Sequence, residues 1–104
     1  MSVTHRILIT GSNGFLGRSF MRLFKAPNCE LLPLSGHRGG MLSGQPCLDL
    51  TNRQNLQAVL RDLRPTHVLN FASRGVTRDH STLEDHLAVN TIGAVNLVEA
   101  LMTQ

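Results

Sequence analysis

Thr10-Gly11-Ser12-Asn13-Gly14-Phe15-Leu16-Gly17 follows directly on an apolar run, Ile7-Leu8-Ile9. Glycines at a spacing of three, between a strand-like run and a helix-like one, are what a chain needs to hold a pyrophosphate. Gly11 can turn sharply out of the strand because it carries no Cβ. Gly14 lets the backbone approach the phosphates, and Gly17 lets the helix pack close to the sheet. The free N–H groups and the positive end of the following helix then face the anion. The spacing is G-x-x-G-x-x-G rather than G-x-G-x-x-G, so its meaning rests on the strand-to-helix setting. A plain Gly-rich turn is the alternative.

Outward from this stretch the pattern alternates strand and helix. His5–Thr10 reads as a buried strand. Phe15, Leu16, Phe20, Leu23 and Phe24 recur at helical spacing and predict an amphipathic helix over Gly14–Lys25, stopped by Ala26-Pro27-Asn28. Cys29–Leu34 predicts a second strand, followed by a Gly-rich loop to about Pro46 and a short third strand at Cys47-Leu48. Thr51 is positioned as an N-cap for a helix with Leu56, Val59, Leu60 and Leu63 on one face. Pro65 marks a boundary before a fourth strand, His67–Phe71. Ser81 or Thr82 then caps a long helix running through Leu101. Strands joined through helices pair in parallel with right-handed crossovers, which makes this an α/β chain with a doubly wound, Rossmann-like sheet.

The 104 residues leave room for one domain, 1–104, with 41% apolar and 16% charged residues, ordinary values for a globular chain. No apolar run approaches the length of a membrane span, and Met1 to Arg6 lacks the layout of a signal peptide. The chain reads as cytoplasmic. Cys29 and Cys47 have no metal-ligand spacing and read as buried free thiols. The net charge of +3 is spread along the chain, without a basic stripe or an aromatic platform, so nothing points to nucleic acid.

Four segments occur in a familiar order: the glycine stretch Thr10–Gly17, Asp49-Leu50-Thr51, Leu69-Asn70-Phe71-Ala72-Ser73, and Val89-Asn90-Thr91-Ile92-Gly93-Ala94-Val95-Asn96-Leu97-Val98-Glu99-Ala100. Together they resemble the N-terminal part of the extended short-chain dehydrogenase/reductases, the NAD(P)-dependent epimerase/dehydratase group acting on nucleotide sugars. Leu63-Arg64-Pro65-Thr66-His67-Val68-Leu69-Asn70 looks most like the dTDP-4-dehydrorhamnose reductase type of sugar-nucleotide reductase. The resemblance covers essentially the whole chain and is specific for the superfamily rather than for one substrate.

It implies a cofactor site. Gly11, Ser12, Asn13, Gly14, Phe15, Leu16 and Gly17 would wrap the pyrophosphate of NAD(P). Asp49 would accept a hydrogen bond from the adenine amino group, with Leu50 beside the ring. A helix N-terminal charge just ahead of Thr51 is the other reading of Asp49. Phe71, Ala72 and Ser73 would line the nicotinamide-side ribose. Asn90 belongs to a polar network behind the family's active site, or simply faces solvent. Family members are often dimers through helices that include the counterpart of Thr82–Met102.

NAD-preferring folds end the second strand with an acid for the ribose 2′-OH. Here that region reads Leu34-Ser35-Gly36-His37-Arg38. Arg38 could pair with a 2′-phosphate or stack on adenine, His37 could assist, and Arg18 is a second candidate. The expected cofactor is therefore NADP, with NAD as the alternative and Arg38 as a solvated loop residue if so.

The family's chemistry rests on a Tyr-x-x-x-Lys pair. This chain has no Tyr and a single lysine, Lys25, so it has no catalytic residue to assign. His67, His80 and His86 have no orienting partner in sequence. The loop Arg74–His80 follows the fourth strand at the ligand-binding edge, and its arginines could meet a sugar-nucleotide phosphate. The family's frequent Pro near Leu83 is missing. A strand left uncovered at the edge is a liability that complete proteins manage, so the chain reads as truncated, about half of such a sheet. The expected function is the cofactor-binding part of a nucleotide-sugar epimerase, dehydratase or reductase. A stand-alone dinucleotide-binding module or an inactive remnant is the alternative.

Overall fold

The computed structural model describes residues 5–34, 50–72 and 82–103. Their elements run β1 (His5–Thr10), α1 (Phe15–Leu23), β2 (Cys29–Leu34), α2 (Arg53–Leu63), β3 (His67–Asn70), α3 (Leu83–His86), a π-helical segment (Leu87–Gly93) and α4 (Ala94–Met102). The predicted strand at Cys47-Leu48 lies outside the described residues, as does Ser81.

The sheet is parallel, in the order β2-β1-β3. Thr10 is level with Leu34 on one side and with Asn70 on the other. The three strands thus end flush, and the chain leaves β1 in the middle of that edge. Because β1 has its successors on opposite sides, right-handed crossovers put α1 and α2 on opposite faces. The place where the winding reverses, between β1 and β3, is where open α/β sheets leave a crevice beyond their carboxyl ends.

Side-chain alternation along β1 sorts its residues between the faces. Leu8 joins Leu34, Leu50, Leu56, Leu60, Leu97 and Ala100 in one buried cluster beneath α2 and α4. Ile7 and Ile9 serve the other face and are also buried. The apolar stripe predicted for α1 is only partly covered. Phe20 stacks on Phe24 with centroids 4.8 Å apart and meets Phe71 at 5.8 Å, whereas Phe15, Leu16 and Leu23 are exposed. Val95, Val98 and Met102 are exposed on α4.

Helix ends depart from the sequence reading in specific ways. Helix α1 starts one residue after Gly14, its N-cap, and stops at Phe24, whose backbone is extended. Helix α2 is capped by Asn52, not Thr51: the Asn52 Oδ1 accepts the Asn55 N–H at 3.0 Å. Asn caps at least as well as Thr, and here it stands at the correct distance from the first turn. Strand β3 ends at Asn70, so Phe71 belongs to the exit loop. Cys29, read as buried, is a free thiol of intermediate exposure; Cys47 is outside the described residues.

The final helix is interrupted by π-helical turns over Leu87–Gly93. Its last residue, Gly93, is buried, and a Cβ there would stand 3.0 Å from the Leu50 Cβ and 3.1 Å from the Ala88 carbonyl oxygen. One turn on, the buried Asn96 donates from Nδ2 to the Leu50 carbonyl at 3.0 Å. Leu50 is thereby fixed to the last helix by both its backbone and its side chain. At the opposite edge of the sheet, Arg6 donates to the Leu63 carbonyl from Nε at 2.9 Å and from Nη2 at 2.6 Å, and pairs with Glu30.

Candidate functional site

Gly11 leaves β1 with φ +64°, a conformation that costs a side chain but not a glycine. An added Cβ would also lie 2.7 Å from the Ala72 nitrogen and from the Phe71 carbonyl group. The glycine loop and the β3 exit loop therefore touch backbone to backbone across the reversal crevice. Behind this contact sits a small polar network. The buried Thr10 Oγ1 donates to Asn70 Oδ1. The Ala72 N–H reaches both of those oxygens at 3.3 Å. The Phe71 N–H donates to the Thr10 carbonyl at 3.2 Å.

Gly17 has a different role from the one its position in the helix suggests. A Cβ there would stand 2.1 Å from the Gly11 carbonyl oxygen and 2.8 Å from the Ser12 Cα. What Gly17 permits is close packing of α1 on the glycine loop itself. Ser12 is buried, and its N–H donates to the Leu34 carbonyl at 3.3 Å, tying the loop to the end of β2.

Gly14 closes a turn by donating to the Gly11 carbonyl at 3.0 Å and serves as N-cap without a side-chain cap. The first helical N–H to find an acceptor is that of Arg18, which reaches the Gly14 carbonyl at 2.9 Å. The N–H groups of Phe15, Leu16 and Gly17 have no acceptor among the described residues. Helix α1 has no acidic residue in its first turn. Such a terminus attracts an anion through its donors and its dipole together. Gly14→Ala, with a Cβ 3.3 Å from the Gly11 oxygen at an ordinary φ of −80°, is expected to cost only about 1 kcal/mol or less in urea unfolding. Its effect should fall on anion affinity instead, because the methyl group enters the approach path.

The remaining predicted positions divide into those the fold gathers and those outside its described part. Asn13, Phe15 and Leu16 are exposed around the loop, and Phe71 and Ala72 stand across the crevice. The Leu50 side chain is buried in the core against Gly93. Asn90 is exposed on the π-helical segment. Arg38, His37, Asp49, Ser73 and the Arg74–His80 loop lie outside the described residues. Thr10, Asn70, Gly93 and Asn96 lie in the family-like segments but carry no expected role there; at Thr10 the signal is a polar residue ending an apolar strand. Among the described residues no three His, Cys, Asp or Glu side chains gather as a metal site, and no helix is long and apolar enough to cross a membrane.

Comparison with known proteins places these features. Residues 7–104 match the model of the NAD dependent epimerase/dehydratase family. The chain is similar to GDP-6-deoxy-D-talose 4-dehydrogenase of Aggregatibacter actinomycetemcomitans, with 27% identity over 93% of this chain and 30% of that protein. It is similar in structure to Thermus thermophilus UDP-glucose 4-epimerase in complex with NAD, with a TM-score of 0.72 and 28% identity over 94% of this chain and 34% of that one. It also resembles Bacillus anthracis dTDP-4-dehydrorhamnose reductase in complex with NADP, with a TM-score of 0.74 and 26% identity over 96% and 32% of the two chains. The chain thus spans about a third of the length of the proteins it matches.

Proposed function

The chain belongs to the NAD dependent epimerase/dehydratase family, and from that premise we propose that it holds the dinucleotide of an NAD(P)-dependent nucleotide-sugar epimerase, dehydratase or reductase. The observation that carries this reading is the cradle between Gly11 and Gly17. Its two glycines let α1 and the β3 exit loop close onto the loop backbone, beside three helix N–H groups lacking an acceptor among the described residues. The residues present fit a dinucleotide pyrophosphate. The loop from Gly11 to Gly17 would hold that group, and the Phe71-Ala72 backbone would border the ribose on the nicotinamide side.

When bound, the nicotinamide supplies hydride exchange with a sugar carbon. This chain's own part is to bind and orient. Its glycine loop fixes the anion, and the Thr10–Asn70–Ala72 network keeps the crevice wall from shifting. The sequence contains no Tyr, hence no Tyr-x-x-x-Lys pair, and the chain by itself is inactive in this proposal. A nucleotide sugar is the proposed substrate class, in keeping with the names of the relatives. NADP(H) is the favoured cofactor, since no acid follows β2 through Arg38.

The chain also lacks Trp, so a titration must follow the ligand. We expect NADPH fluorescence to rise on saturable binding, with NADH binding more weakly. Failure of both dinucleotides to bind the folded chain would overturn the proposal.

A further inference from the structure

At the amino edge of the sheet, the end away from the glycine loop, the His5 and His67 rings meet with centroids 5.2 Å apart and planes at 78°. The strand register brings them together. His67 opens β3 level with Ile7, and His5 stands two residues before Ile7 on β1. Alternation puts His5 and Ile7 on one face, and level neighbours in a parallel pair share a face, so both imidazoles stand on the α1 side of the sheet. Arg6 points to the other side, where its guanidinium engages the Leu63 carbonyl and Glu30. Both histidines are exposed.

His67 is also oriented. Its Nδ1 lies 2.9 Å from the Thr66 Oγ1. That hydroxyl accepts the Arg6 N–H at 2.8 Å and donates to the Arg6 carbonyl at 3.2 Å. With its one proton so placed, its remaining lone pair takes the His67 Nδ1–H. The Nε2 lone pair of His67 is then free for a ligand, the arrangement in which histidine binds metal ions. The spacing agrees. A tetrahedral ion about 2 Å from one nitrogen of each ring holds the two ring centres about 5 Å apart. Two imidazoles suit zinc, copper and nickel rather than the hard, oxygen-seeking cations. Among the described residues no group of three His, Cys, Asp or Glu forms here, so water or a small external ligand would complete the coordination.

We propose that His5 and His67 form a two-histidine site for a late first-row divalent metal ion, joining β1 to β3 at the amino edge of the sheet. The site is separate from the crevice at the carboxyl edge and does not rest on the dinucleotide reading.

Calorimetric titration of the 104-residue chain with zinc tests it. H5A and H67A are each expected to lower zinc affinity about tenfold or more. H5A/H67A should fall within about twofold of the weaker single variant, because either loss breaks the same site. H37A/H80A/H86A, which keeps the pair, should bind as the native chain does. A second reading needs no substitution: in proton NMR, trace Cu²⁺ should broaden the His5 and His67 ring signals ahead of those of the other three histidines. Binding that survives H5A/H67A but not the triple variant, or not C29S, overturns the proposal. A native chain that takes up no zinc overturns it too, and leaves the two rings as an edge-to-face contact.

Discussion

Replacing Gly17 with alanine is expected to destabilise the chain by about 3 kcal/mol or more and to abolish NADPH binding. The methyl carbon would stand 2.1 Å from the Gly11 carbonyl oxygen, well inside any tolerable contact. The obstacle is backbone, so no rotamer change relieves it. Either α1 lifts off the loop or the Gly11-Ser12 peptide rotates. Lifting α1 separates its N–H groups from the loop, while rotation breaks the Ser12 N–H bond to Leu34. Both routes dismantle the proposed anion cradle. Thermal unfolding with NADPH titration checks this, and a variant with native midpoint and native affinity would show that α1 packs otherwise.

Gly11→Ala should be nearly as damaging, through a different pair of causes. Its φ of +64° disfavours any Cβ, and the added carbon would lie 2.7 Å from the Phe71-Ala72 peptide. The first effect costs about 1 kcal/mol and the second a further 1–3 kcal/mol. The collision falls across the crevice, so the β3 exit loop must retreat and pull Ala72 off its Thr10 and Asn70 acceptors. We expect chemical denaturation to show the stability loss and NADPH affinity to fall below detection. Because both substitutions strain the Gly11 peptide, the double variant should be less destabilised than the sum of the two. Strict additivity would indicate that the two glycines act at separate places.

Much of this fold was legible in the sequence. Strands β1 and β2 have the boundaries that the apolar runs and their Gly and Asn punctuation predict, and the glycine loop sits where its strand-to-helix setting puts it. The rest depended on partners distant in sequence. That Gly17 meets Gly11 rather than the sheet is a backbone contact that spacing does not encode. Thr10 and Asn70 are sixty residues apart, and only the flush strand ends bring them together. The π-helical turns end at Gly93, packed against Leu50, a contact that helical periodicity cannot reveal. Asn52 displaced Thr51 as cap because neighbouring residues of equal capping ability are separated only by where the helix begins. Of the proposed cofactor residues, the glycine loop is argued from its own chemistry, whereas Asp49, Leu50 and Asn90 enter through family resemblance.

The cradle between Gly11 and Gly17 is made of peptide groups, and peptide groups do not ionise near neutrality. These peptide donors therefore bring no acid–base switch of their own to the dinucleotide binding proposed for them. Whatever pH sensitivity binding acquires there belongs to the ligand: a phosphate monoester loses its second proton near pH 6, as phosphorylated side chains do. The hold on NADPH would loosen as that proton returns, while NADH, which lacks the group, would be held alike on both sides of neutrality. On the proposed preference for NADP(H), discrimination between the two cofactors would depend on the medium, sharp in alkaline surroundings and blunted in acid ones.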